Sequence, residues 1–193
     1  MKKLILFVLA SLSGLSLSAQ FTGKMNFTSM GETRSFTVHS ADTGYRYDFD
    51  EDGQKGAVIV KNGSGEVIIL MPQQKMAMKS PSDSPMSMSN DPLKSMEYYQ
   101  KSGIMKEEGK EMVNGVPCTK STLYNAENPS QKLFTLWVSN EYKFPMKMLN
   151  HIDGNENSGM EMSGVEPWTP VSQFFEIPAD YQVMEMPVMP GGD

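Results

Sequence analysis

Apolar and polar residues alternate along most of this chain. In Phe21-Thr22-Gly23-Lys24-Met25-Asn26-Phe27 nearly every second residue is apolar, as in a strand with one buried and one wet face. Phe36 and Val38 repeat the pattern, and Tyr45, Tyr47 and Phe49 repeat it with Arg46, Asp48 and Asp50 between them. Two β-branched runs, Val58 to Lys61 and Glu66 to Met71, meet at Asn62-Gly63-Ser64-Gly65. Asn-Gly in that place predicts a hairpin whose two turn residues take positive φ. Both runs are apolar on both faces, so each face needs a cover.

A third strand, Gln74 to Lys79, follows the Met71-Pro72-Gln73 turn, and residues 80–90 form a polar loop by composition. Asn90 or Asp91 caps a helix with Pro92 in its first turn, Leu93, Met96 and Tyr99 or Gln100 as its apolar stripe, and Gly103 as its stop. This helix is expected on the concave face of the sheet. Strands resume at Ile104 to Val113, turn at Asn114-Gly115 and return from Val116 to Tyr124. Lys132 to Ser139, Pro145 to Ile152 and Ser158 towards Trp168 complete the set, with a turn at Asp153-Gly154-Asn155. Phe174 to Tyr181 reads as a short closing element that plugs an open end of the sheet. The expected fold class is mainly β: about ten strands in a curved antiparallel sheet with one or two helices, as an incomplete or a closed barrel.

The ends add a compartment. Met1-Lys2-Lys3, an apolar run from Leu4 to Leu17 and Ser18-Ala19-Gln20 make a secretory signal peptide, too short for a membrane span. Cleavage is expected after Ala19, with Ser18 as the alternative. Residues 20–187 then form one domain and 188–193 a loose tail, with no further transmembrane segment. The mature chain is expected to be periplasmic or secreted. Loss of Lys2 and Lys3 takes the formal charge from −6 to −8, which disfavours nucleic acid and anionic membrane surfaces. Cys118 is the only cysteine, so no internal disulfide forms; a small buried apolar residue is the expected role.

The order of several motifs goes further. Tyr45-Arg46-Tyr47-Asp48, Gly53-Gln54-Lys55 and Ile69-Leu70-Met71-Pro72-Gln73-Gln74-Lys75-Met76 come first. Gly109 to Cys118, Trp137-Val138-Ser139, Pro145-Met146-Lys147 and Phe175-Glu176-Ile177-Pro178-Ala179-Asp180-Tyr181 follow. This set resembles a family of exported bacterial proteins of unknown function, related in turn to the outer-membrane lipoprotein carriers and receptors (the LolA/LolB-like fold). The resemblance implies an unclosed half-barrel with helices on its concave side, sheltering an acyl or other greasy ligand. It also implies that Arg46 is the nearest match to an arginine that holds the lid of the carriers shut. Two features depart from that pattern: Tyr47-Asp48 stands where the carriers have Pro-Asn, and alternation puts Arg46 on the face opposite Tyr45, Tyr47 and Phe49.

Candidate chemistry is sparse. Asp48-Phe49-Asp50-Glu51-Asp52-Gly53 opens like a calcium loop, but its twelfth position is Ile59 where a bidentate Glu is required; an acidic turn is the expected role. His39 and His151, the only histidines, fall on polar faces and are expected to be solvated, with no patterned nucleophile or carboxylate pair beside them. No motif calls for catalysis or a cofactor, and no metal site is assigned. Methionine is abundant, at 18 residues, with Met-x-Met pairs at 76/78, 86/88, 146/148, 160/162 and 184/186. Such pairs fill irregular cores or line adaptable apolar pockets, or offer thioethers to Cu(I) or Ag(I).

The function expected is a non-catalytic binding or carrier protein for a hydrophobic, acyl or lipid-like molecule. Its candidate lining is Tyr45, Tyr47, Phe49, Met76, Met78, Trp137, Met146 and Met148, with Arg46 as a lid or polar contact. Alternation already implies that these residues do not all share one face. A Met-rich Cu(I)/Ag(I)-binding protein and a module binding another envelope protein are the alternatives.

Overall fold

The computed structural model describes residues 20–29, 31–51, 53–81, 93, 100–101, 103–152 and 158–186. The expected signal peptide, the loop with Met86 and Met88, most of the expected helix, the expected Asp153-Gly154-Asn155 turn and the tail from 188 lie outside these residues. Leu93 and Gln100 are helical, and Leu93 is buried in the main core.

The strands are β1 (Phe21–Ser29), β2 (Glu32–Ala41), β3 (Gly44–Glu51), β4 (Gln54–Lys61), β5 (Val67–Met71), β6 (Met76–Ser80), β7 (Gly103–Val113), β8 (Val116–Asn125), β9 (Lys132–Ser139), β10 (Pro145–Asn150), β11 (Gly159–Pro167) and β12 (Gln182–Glu185). They form one curved, unclosed sheet in the order β12-β6-β5-β4-β3-β2-β1-β11-β10-β9-β8-β7. The chain runs outward from β1 to β6, crosses to the far edge at β7, and returns to place β11 beside β1. All neighbours are antiparallel except β12 and β6, which run parallel. Gly103, expected to stop the helix, opens β7.

Turn chemistry separates two Asn-Gly hairpins. Asn114 and Gly115 both take positive φ, 46° and 86°, in a two-residue turn between β7 and β8, as the right-handed twist of the strands demands. Between β4 and β5 the positive φ angles fall on Gly63 and Gly65 and not on Asn62. There the Lys61 N–H donates to the Glu66 carbonyl at 2.9 Å, so the loop is wider than the two-residue turn expected.

Both faces of the β4–β5 region are covered, as its double-sided apolar pattern requires. One face joins the main core, which extends through Phe21, Met25, Val38, Tyr45, Tyr47, Val58, Val60, Phe134, Leu136, Met148 and Met160. On the opposite face, Ala41, Ala57, Ile59, Ile68, Leu70 and Ala77 pack with Phe175 and with Trp168, Phe174, Ile177 and Tyr181. The C-terminal segment therefore lies across a face of β2–β6, where the sequence suggested a plug at an open end. It then continues into β12, an element the sequence pattern did not reveal.

Candidate functional site

Directly opposed residues on neighbouring strands share a face, so the register sorts the candidate residues. Val38, Tyr47, Val58, Ile69, Met78 and Met184 form one continuous row across β2, β3, β4, β5, β6 and β12. Ser40, Tyr45, Val60, Val67 and Ser80 form the next row on that face. On the other side of the Tyr47 row, Met25 opposes Phe36, Phe49 opposes Gly56, and Met71 opposes Met76. Tyr45, Tyr47, Phe49, Met76 and Met78 thus stand on one face.

Burial divides that face into a floor and a band. Tyr45, Tyr47, Val58, Val60 and Val67 are buried, with the two tyrosine rings 5.3 Å apart and Phe36 6.4 Å from Tyr47. Phe27, Phe36, Phe49, Ile69, Met71, Met76 and Met78 are only half-buried, and Met184 is 53% exposed. Gly56 makes room for the band: a Cβ there would collide with the Phe49 ring, so the aromatic side chain lies flat over the strand beside it. Apolar side chains kept partly in contact with water across several adjacent strands are what an apolar ligand would cover.

Met146 and Met148 belong to the same main core but lie deep within it, at 1% and 3% exposure, where Met148 opposes Met160 and Met25 opposes Met162. Trp137 occupies the other face. It is paired with Lys147 and Lys120, its indole N–H donates to Glu111 Oε2 at 2.7 Å, and the two ammonium groups lie 5.6 and 5.2 Å from its ring. Trp137 is buried with the main core, yet by register its side chain leaves β9 on the side opposite Leu136 and Met148. Alternation is the physical reason.

Arg46 faces away from the tyrosines, as alternation requires. Its guanidinium pairs with Asp48, with Nη2 2.6 Å and Nε 2.9 Å from Oδ1, donates to the Phe174 carbonyl at 2.9 Å, and stacks 4.6 Å from the Phe174 ring centre. It ties down the C-terminal segment on the opposite face. His39 sits in the same cluster, with ring centres 4.8 Å from both Trp168 and Phe174 and Nε2 3.6 Å from Asp48. Burial is the main cause holding its pKa below the ordinary value; Asp48 opposes this and Arg46 assists it. The expectation of solvated histidines is corrected here: aromatic packing covers His39, and His151 is half-buried with Nε2 2.9 Å from Thr135 Oγ1. Cys118 is fully buried, and burial raises its thiol pKa.

Lys24, Thr37, Arg46, Asp48, Asp50 and Lys55 line an open cleft of about 480 Å3 together with Phe36, Phe49 and Gly56 of the tyrosine face. Its charged side suits water, and its Phe36 and Phe49 side belongs to the apolar band. Among the described residues no cluster of three or more His, Cys, Asp or Glu is arranged to hold a metal ion.

Four members of the band escaped the sequence reading: Phe27, Phe36, Ile69 and Met71. Phe27 and Phe36 were visible as alternating apolar positions. Their half-exposure depends on where their rows end, which no local pattern records.

No protein-family model matches the chain, and no curated protein matches it. Solved structures do. An uncharacterized conserved protein from Thermus thermophilus superposes with a TM-score of 0.59 at 12% identity, over 89% of this chain and 93% of that one. MucB in the Pseudomonas aeruginosa MucA/MucB complex superposes with a TM-score of 0.52 at 15% identity, over 88% of this chain. The match spans 59% of that chain's length. A LolA superfamily protein from Nitrosomonas europaea is also similar, at 9% identity and a TM-score of 0.45, over 82% and 90% of the two chains. At these identities the likeness is one of fold: the unclosed antiparallel sheet expected from the motif order is the architecture found.

Proposed function

We propose that this chain is an exported, non-catalytic binding or carrier protein of the cell envelope that takes the apolar part of a lipid-like molecule. The observation that carries the reading is the half-exposed band of Phe27, Phe36, Phe49, Ile69, Met71, Met76 and Met78 above a buried Tyr45–Tyr47 floor. Burial of such a band by an acyl chain contributes about 25 cal/mol per Å2, and methionine side chains adapt to chains of differing shape. The signal-peptide pattern of the first residues and the fold shared with MucB support the compartment. A protein partner is a second class of occupant for the molecule as a whole, since a MucB sheet of this fold is found in complex with MucA.

The test is uptake of a fluorescent long-chain fatty acid by the purified protein, together with native mass spectrometry and organic extraction of material isolated from its own host. Met76→Gln with Met78→Gln is expected to weaken uptake about tenfold, the loss of roughly 50 Å2 of apolar contact, with an unchanged β-sheet circular dichroism spectrum. Trp137→Phe, on the opposite face, is expected to leave uptake as it was. Equal uptake by the Gln variant would remove this face as the site.

A further inference from the structure

We infer that Met71, Met76, Met78 and Met184 form a thioether site for a soft monovalent cation, Cu(I) or Ag(I). The sheet brings them together from three strands. Met71 opposes Met76 across β5 and β6, and Met78 opposes Met184 across the parallel β6–β12 pair. Met76 and Met78 are two residues apart on one strand and so point to the same side. Opposed positions are about 5 Å apart and alternate positions on a strand about 7 Å. A methionine side chain has three rotatable bonds, enough to swing four sulfurs from such positions towards one ion.

Their setting separates them from the buried methionines on this face. Met25, Met146, Met148, Met160 and Met162 are each 3% exposed or less, so an ion would reach them only by opening the core. Met184 is 53% exposed and Met71, Met76 and Met78 are half-buried, so ions in solution reach their sulfurs. Ile69, opposite Met78 on β5, supplies apolar contact without sulfur. Neutral thioethers bind Cu(I) and Ag(I) and discriminate against hard divalent ions, which prefer oxygen.

The inference goes beyond the lipid-binding reading and shares Met71, Met76 and Met78 with it, so the experiment must separate the two. Methionine to leucine does this, since it keeps apolar volume and removes sulfur. Ag(I), which needs no reductant, is titrated into the purified protein in the presence of excess free methionine, and occupancy is read by native mass spectrometry. The wild-type protein is expected to hold one Ag(I). Met71→Leu/Met76→Leu/Met78→Leu/Met184→Leu is expected to hold none, with an unchanged β-sheet circular dichroism spectrum. Met148→Leu/Met160→Leu, in the buried group, is expected to keep the ion. No Ag(I) on the wild-type protein, or equal Ag(I) on the fourfold variant, would overturn the site whatever the fatty-acid result. A wild-type protein that takes up no fatty acid while the silver pattern holds would instead count against the lipid reading alone.

Discussion

Met25, Met146, Met148, Met160 and Met162 share one face of the sheet with Met71, Met76, Met78 and Met184, and the two groups live in different solvents. The first group sits on β1, β10 and β11, in the middle of the strand order, and the second on β5, β6 and β12 at one edge. Each contains methionines brought side by side by register, with Met148 against Met160 in the middle and Met78 against Met184 at the edge. In the middle, curvature and flanking strands close over the thioethers, which then only pack. At the edge, the same residue type keeps one side open. Position in the strand order, rather than residue identity, decides whether a methionine is filler or contact surface.

The largest effect expected from breaking this contrast is on stability. Met148→Ala is expected to cost about 2–5 kcal/mol, the usual range for emptying a closed core, and Met78→Ala less than about 1.5 kcal/mol because its site is already partly wet. Urea unfolding of the two variants checks this; equal losses would erase the distinction between middle and edge. Next comes the cover on the edge half's other face. Arg46→Ala removes charge-assisted bonds to Asp48 and to the Phe174 carbonyl, expected to cost about 1.5–3 kcal/mol. Hydrogen exchange should then quicken from Trp168 to Glu185, and unchanged exchange there would show that aromatic packing alone holds the segment.

A smaller effect is expected at Gly56. Gly56→Ala forces the Phe49 ring off the strand, at a cost of about 1 kcal/mol; fatty-acid uptake should change, and constant uptake would place Phe49 outside the contact. A pH effect follows from His39. Its folded-state pKa lies below the ordinary 6.5, so the unfolded chain takes up the proton first as pH falls. Stability is full above 6.5, declines as pH drops from there to the folded value, and then levels off. His39→Gln should flatten that decline in thermal melts across pH. Smallest of all, dilute peroxide should convert Met184, Met78, Met76 and Met71 to sulfoxides before the buried five, as peptide mapping would show.

Much of the sheet was legible because its cause is local. Alternation marked β1 to β3, the β-branched runs marked β4 and β5, and Asn114-Gly115 marked the β7–β8 turn. The count of about ten strands fell short because Gln182-Val183-Met184-Glu185 is four residues long and pairs only with a strand about a hundred residues earlier. The same distance hid the roles of Arg46 and His39, whose partners Phe174 and Trp168 lie far along the chain. In the candidate site, the common face of Tyr45, Tyr47 and Phe49 followed from alternation, as did the separation of Arg46 from them. That Trp137 falls on the other side from Met148 needed the register of β9 with β10.

The strand order also gives the molecule a direction in time. A chain that emerges amino end first can zip β1 to β6 through successive local hairpins as each strand appears. One flank of β1 then stays unpaired until β11 arrives, about 140 residues after β1 begins. An unpaired strand flank is a template for stray pairing, and contacts so distant in sequence form slowly. The newborn protein therefore passes through an interval in which its future centre is its exposed margin, and a helper that shields β1 during that interval would act on folding without touching the finished sheet.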